Sequence, residues 1–485
     1  MPEHTDTGTK NLPARRKAGA KAAPRHHLPR RAPKERARDF KEVALGFDLD
    51  TALAEAARCL RCKRPSCVPG CPVGVDIPGF ISAMGEQRFE DAVNTLKDKN
   101  NLPGICGRVC PQETQCEKSC ALGKRGEPVA IGALERFVAD WERANVGGFR
   151  LRREPDPKAP KVAIIGSGPA GLTAAADLAR YGYRVTIFES LHAPGGVLRY
   201  GIPEFRLPRD ILDREVEYVK SLGVDIETDV LVGNTVTLAE LMNEEGYEAA
   251  FIATGAGLPW FMHIPGENLA GVYSANEFLT RVNLMRAHRF PEYRTPIRVG
   301  RKTVVIGGGN TAMDSARSAL RLGSEVTVVY RRTRAELPAR AEEVENALEE
   351  GVKLQELTVP LEMLGDEKGH VRAMLCQRSE LGEPDASGRR RPVPVPGSEH
   401  EVEADTVVIA VSASPNPLLP RSEPRLKTGD DGRLIVNEET GETTMTGVYA
   451  GGDIANDSGT VIAAMGDGKR AAKATHEYLQ AKHKR

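Results

Sequence analysis

KVAIIGSGPAGLTAAADLARYGYRVTIFES, residues 161–190, decides the fold. An apolar run, Val162 to Ile165, enters Gly166-x-Gly168-x-x-Gly171; a helical stretch follows, and a second apolar run, Val185 to Phe188, ends at Glu189. This is the strand–turn–helix–strand unit that opens a parallel α/β sheet and binds a dinucleotide. Gly166 makes the turn, Gly168 lets the backbone approach a pyrophosphate, and Gly171 lets helix and strand pack closely. Pro169 and Ala170 start a helix whose N-terminal N–H groups face the phosphates. Glu189 can accept hydrogen bonds from both ribose hydroxyls. A glycine fingerprint alone is weak evidence, but here strand, helix and terminal acid stand in register.

The unit returns at residues 302–330, KTVVIGGGNTAMDSARSALRLGSEVTVVY. Gly307, Gly309 and Ala312 take the three glycine positions, with Gly308, Asn310 and Thr311 beside them. Where the first unit has Glu189 the second has Tyr330, followed by Arg331 and Arg332. An acid there repels a ribose 2′-phosphate, and guanidinium groups pair with it. The first unit is therefore expected to hold a dinucleotide with a free 2′-hydroxyl, and the second NADP(H).

Pro194-Gly195-Gly196 and Gly201-Ile202-Pro203 fall where a loop could lie against a flavin, which makes FAD the expected first ligand. Near the C-terminus a short strand ends in Gly452-Asp453, and a helix is expected from about Thr460 and Val461. Asp453 could hold ribityl hydroxyls, and the helix N-terminus could stabilise charge on the reduced ring. Ala253-Thr254-Gly255 reads as a crossing between domains. The fold class is α/β: two nested Rossmann-like domains behind a small helical one. The expected order is a basic arm (1–40), a helical metal domain (41–150), an FAD domain in two parts (155–294 and 416–485) and an NADP domain (295–415) between them.

Eight of the nine cysteines lie between residues 59 and 120, and only Cys376 stands outside. They read Cys59, Cys62, Cys67 and Cys71-Pro72, then Cys106, Cys110-Pro111, Cys116 and Cys120. Crowding of this kind points to metal rather than structural disulfides. Zinc competes, because CxxC pairs suit it. However, the stretch has no histidine, and compact cysteine runs ending in Cys-Pro are an iron–sulfur habit. Two 4Fe-4S clusters are expected. Helical periodicity over Asp50–Leu60 and Ile131–Trp141 frames them.

The net charge of zero hides an asymmetry, since residues 1–40 carry eleven Lys/Arg against four carboxylates. Pro13, Pro24, Pro29 and Pro33 break any helix there, so a solvated, disordered arm is expected, with an acidic partner as the other use of its charge. No nucleic-acid partner is expected. No apolar run is long enough to span a bilayer, and a cytoplasmic protein is expected.

Residues 102–141, LPGICGRVCPQETQCEKSCALGKRGEPVAIGALERFVADW, followed by GSGPAGL and GGGNTAMDSA, resemble the small (beta) subunit of NADPH-dependent glutamate synthase. The resemblance runs from about residue 41 to the C-terminus. It extends to the N-terminal part of dihydropyrimidine dehydrogenase and to the large subunit of the bifurcating NADH-dependent ferredoxin:NADP oxidoreductase. What it implies is an interleaved ligation. Cys59, Cys62 and Cys67 join Cys120 around one cluster; Cys71, Cys110 and Cys116 share the other with Glu135, and Cys106 is left over. Ser412 departs from the glycine common in relatives.

The resemblance also implies a route: hydride from NADPH to the flavin, then single electrons through the clusters to a partner. The cysteine count agrees, because no redox-active pair exists outside residues 59–120. No side chain is assigned as catalytic. The expected partner is the large subunit of glutamate synthase; the alternative is a small FAD/2Fe-2S subunit, with ferredoxin as third reactant.

Overall fold

The computed structural model describes residues 23–147, 152–385, 388–457 and 459–484, so the basic arm before residue 23 lies outside the described residues. The chain forms two compact units. One takes its residues up to Pro29, those from Leu45 through the cysteine region, and Thr460–Ile462; the other takes Arg30–Ala44 and the remainder.

The first unit is helical: Leu49–Ala56, Ile77–Gly85, Phe89–Lys99, Pro103–Val109 and Ile131–Asn145. Asp48 and Asp76 cap the first two by accepting from Thr51 N (2.8 Å) and Gly79 N (3.1 Å). Pro103 starts the fourth, where its missing N–H costs nothing. Leu96, Leu102, Ile105 and Leu134 are fully buried and form the core. Gly107 allows the closest crossing, because a Cβ there would stand 2.5 Å from Arg136 N. The expected helix over 50–60 stops at Ala56, which leaves Cys59 on a loop.

The second unit holds two five-stranded parallel sheets. The first has the order β16-β4-β1-β2-β3, from Val448–Ala450 (β16), Tyr247–Ile252 (β4), Lys161–Ile165 (β1), Arg184–Phe188 (β2) and Asp225–Glu227 (β3). The second has the order β6-β14-β7-β8-β9, from Val272–Ser274 (β6), Thr406–Ile409 (β14), Lys302–Ile306 (β7), Glu325–Val329 (β8) and Lys353–Gln355 (β9). Near-continuous Val/Ile burial in β1, β7 and β14 is what strands covered on both faces require. Leu258–Pro259 (β5) pairs antiparallel with Ala413–Ser414 (β15), so both passages between the sheets run side by side. A smaller antiparallel sheet follows β9: Thr358–Gly365 (β10), Val371–Pro384 (β11), Arg390–Pro394 (β12) and His400–Glu403 (β13).

Two expectations are corrected. The second sheet begins well before residue 295, because β6 pairs with β14 and Phe278, Leu279 and Val282 pack in that sheet's core. The arm is ordered over its described part. Arg25 pairs with Glu117 at 2.7 Å, and His26 contacts Glu55 at 2.9 Å. Residues 30–44 strap the second nucleotide domain: Arg36, 1% exposed, bonds Glu350, Glu349 and Asn346 of the helix Ala341–Glu350. Phe40 stacks on His288 at 4.3 Å. Charge counting read these arginines as solvated; their carboxylate partners are distant in sequence, Glu117 for Arg25 and Glu350 for Arg36.

Candidate cofactor sites

At the first sheet, Gly166 takes φ +102°, and a Cβ there would stand 2.6 Å from Ala253 O. Gly171 sits against Gly166 O with no room for a side chain. Gly168 differs: a Cβ on it would meet nothing within 4 Å, so the groove above it is open toward the helix Pro169–Arg180. Gly255, at the crossing after β4, is open in the same sense. Glu189, 4% exposed at the end of β2, is held by the Ser167 hydroxyl, by Ser167 N at 3.0 Å and by Leu191 N at 2.8 Å. Gly196 packs onto Gly168, where a Cβ would stand 2.9 Å from Gly168 Cα.

Asp453 follows β16; burial raises its carboxyl above the ordinary range, against the pull of the Gly459 N–H that it accepts. Gly452 N donates to Asp467 Oδ2 at 2.8 Å, which ties the Gly452 turn to the helix Val461–His483. Tyr200 was missed from sequence. Burial, with the charges of Asp453 and Glu189 behind it, pushes its phenol up to about 12. Thr460 and Val461, expected at the flavin, are grouped with the first unit. An open phosphate groove, a buried ribose acid and a buried acid beyond them fit FAD.

At the second sheet, Gly307 takes φ +137° beneath the Ala410 carbonyl, Gly308 packs on the Tyr330 ring, and Gly309 is open. Asn310 starts the helix Asn310–Arg321, and its Oδ1 accepts from Arg340 N at 3.0 Å; Thr311 follows, and Ala312 is buried in the packing position. The two arginines separate. Arg331 is exposed, whereas Arg332 is 3% exposed and donates to Arg390 O at 2.6 Å and Asp385 Oδ2 at 2.8 Å. Arg332 thus anchors the β11–β12 hairpin and is not available to a 2′-phosphate. The groove and Arg331 fit NADP(H).

Sequence reading also missed a buried charge network in the second unit. Arg206, three residues past Pro203, reaches Asp314 Oδ2 at 2.7 Å and Glu343 Oε1 at 3.2 Å. Phe205 lies under Arg317 (4.6 Å) and Arg321 (4.0 Å), both of which bond Glu350. The only sequence signal was Asp314, an acid in the Gly-Asn-Thr-Ala-Met-Asp run.

The cysteines of the first unit sort into two sets. Burial is the main cause that raises Cys59 and Cys67, the latter to about 12, and next come the neighbouring thiols Cys120, Cys62 and, for Cys67, Cys59. Cys71, Cys106, Cys110, Cys116 and Glu135 line one cavity with Gln112 and Ile462. Burial raises Cys71 and Cys116 as well, with Glu135 and Cys110 among the charges each feels. Cys71 thus shares a cavity with the three thiols that follow it in sequence. Crowded thiols, buried at Cys106, Cys110 and Cys116 and half-buried at the others, are costly to ionise unless cationic iron replaces their protons, so both sets fit clusters. Cys376 instead fills the apolar core of the second sheet.

The family described as dihydropyrimidine dehydrogenase domain II, 4Fe-4S cluster, matches residues 36–146, and the pyridine nucleotide-disulphide oxidoreductase family matches residues 160–468. The chain is 36% identical to the glutamate synthase (NADPH) small chain of Escherichia coli, covering 93% of this chain and 96% of that one. It is 42% identical to the NADP(+)-dependent formate dehydrogenase subunit beta of Moorella thermoacetica over 85% of its length, but spans only 60% of that relative. Among solved structures, Mycobacterium tuberculosis FprA in complex with NADPH shares the fold, with TM-score 0.56 and 23% identity over 67% of this chain and 86% of FprA. Among the described residues no helix is long and apolar enough to cross a membrane.

Proposed function

Since the chain belongs to the pyridine nucleotide-disulphide oxidoreductase family, in the branch of the glutamate synthase small chains, we propose that it is the electron-entry subunit of a larger NADPH-oxidising enzyme. It is an NADPH-dependent FAD and iron–sulfur oxidoreductase. The partner read first is a glutamate synthase large subunit. The observation that carries the reading is the contrast between the two second-strand ends: buried Glu189 after β2, exposed Arg331 after β8, in a chain that also holds two thiol sets.

Gly166, Gly168 and Gly171 would seat the FAD pyrophosphate on the helix Pro169–Arg180, with Glu189 taking the ribose hydroxyls and Asp453 the ribityl chain. Gly307, Gly309, Asn310 and Thr311 would seat the NADP(H) pyrophosphate, with Arg331 on the 2′-phosphate. Cys59, Cys62, Cys67 and Cys120 would hold one cluster; Cys71, Cys110, Cys116 and Glu135 the other. Bound there, the flavin would supply a hydride acceptor for the nicotinamide and the clusters one-electron carriers. The chain's own part is to hold these groups, keep water from the buried thiols and fix Glu189 through Ser167.

Several relatives are named as small or beta chains, which supports a protein partner. The 42% identity to the formate dehydrogenase subunit favours a second reading, in which the same entry chain serves a formate-oxidising partner. Anaerobic isolation from the native host, with native mass spectrometry of the intact complex, tests these. A very large FMN-bearing partner supports the first reading. A formate-oxidising partner supports the second, and a small flavin/2Fe-2S partner marks the bifurcating alternative. Protein without partner, under conditions that preserve the clusters, would count against an entry subunit.

A further inference from the structure

Asn100 is wholly buried between two groups of the second cysteine cavity. Its Nδ2 donates to Glu135 Oε1 at 2.6 Å. Its Oδ1 accepts from Leu102 N at 2.9 Å, and Cys106 Sγ lies 3.6 Å away as a donor to the same oxygen. The backbone contact fixes which way the amide faces, because an N–H can meet only the oxygen. The end turned to Glu135 is therefore a donor, matched to a carboxylate, and the end turned to Cys106 is an acceptor, matched to S–H.

Five side chains in that cavity could bind iron: Cys71, Cys106, Cys110, Cys116 and Glu135. A four-iron cluster takes four. Thiolate is the softer donor and the usual iron–sulfur ligand, so donor strength alone would select Cys106 and leave Glu135 out. We propose that Asn100 reverses this order: it is a positioning residue that presents Glu135 as the fourth ligand and holds Cys106 back as a hydrogen-bonded thiol. The inference rests on the cluster reading of this cavity. It makes ligand choice a property of one uncharged side chain, acting from behind the ligands.

The test is the low-temperature EPR signal and iron content of anaerobically purified, dithionite-reduced holoprotein, with Glu135→Cys as the reference for all-cysteine ligation. Asn100→Asp keeps the shape but loses the donor; it should take on the Glu135→Cys signal with iron unchanged, and adding Cys106→Ala should remove half the iron. Glu135→Ala should lose half the iron, because intact Asn100 still restrains Cys106. Cys106→Ala alone should leave signal and iron as in the parent. A parent-like signal in Asn100→Asp overturns the proposal, as does full iron with an all-cysteine signal in Glu135→Ala. If both Glu135→Ala and Glu135→Cys leave signal and iron untouched, Glu135 is no ligand, and the cavity reading fails first.

Discussion

The guanidinium of Arg206 meets Asp314 Oδ2 at 2.7 Å, with neither side chain more than 6% exposed. Through this contact the loop after Gly201-Ile202-Pro203 is tied to the helix Asn310–Arg321, whose first residues face the second dinucleotide groove. Glu343 meets the same guanidinium at 3.2 Å and is also bonded by Arg317. Arg206→Ala strands Asp314 as a buried charge and should cost about 3–5 kcal/mol. Urea unfolding followed by flavin release should show the loss, and Arg206→Met combined with Asp314→Asn should recover much of it. An Arg206→Ala midpoint equal to the parent's would refute the account.

Asp314 gives the network a pH signature. Burial pushes its carboxyl from 3.8 up to about 6, although Arg206 pulls the other way. A folded-state value above the unfolded one means that the folded chain holds the proton more tightly. The associated stability is full below about pH 4 and is lost as pH rises through about 6. The stability of the parent relative to Asp314→Asn should therefore fall by up to about 3 kcal/mol between pH 4 and pH 7. Paired thermal unfolding curves across that range measure it; a parent that gains stability relative to Asp314→Asn as pH rises has the wrong sign.

Cofactor selectivity should divide the two neighbouring arginines. Arg331→Ala should raise the KM for NADPH roughly 10–100-fold while NADH is little affected, since hydrogen bonds to a charged partner contribute about 1.5–3 kcal/mol. Arg332→Ala should leave that ratio nearly unchanged and instead loosen the β11–β12 hairpin, whose Asp385 and Arg390 it holds. Steady-state kinetics with both nucleotides decide the matter, and equal selectivity losses would show that the assignment is wrong.

The glycines of the first groove should fail in different ways. Gly168→Val places its Cβ in open space within the protein, so the chain should fold and be purified with little flavin. Gly171→Ala drives a methyl into Gly166 O and should destabilise the fold itself by about 1–3 kcal/mol. Flavin absorbance read beside circular dichroism separates the outcomes; full flavin in Gly168→Val would remove that groove from consideration.

Much of the fold was legible because local signals and tertiary structure agree in it. The 161–190 and 302–330 units fold as read, since turn glycines and apolar strands specify them within a short stretch. What escaped is long-range. Arg36 carries no sign that it will meet Glu350, and Val272–Ser274 is too short to announce which sheet it joins. Arg332 looks equivalent to Arg331 in the sequence; only the returning hairpin assigns them different partners. Cysteine spacing by itself does not pair Cys120 with Cys59 or Cys71 with Cys110; the fold of the loops brings them together.

The pairing of β16 with β4 has a consequence for how the chain is made. All strands of the second sheet and of the hairpin sheet leave the ribosome between these two partners. The inner sheet, β6 to β14, can close on itself while β4 still presents a bare edge, and unpaired edges recruit foreign strands. Biosynthesis therefore runs from the inside outward, and the flavin's domain is the last to be completed. Truncation anywhere before Val448 leaves that edge permanently open, so prematurely terminated chains should aggregate rather than persist as partial enzymes.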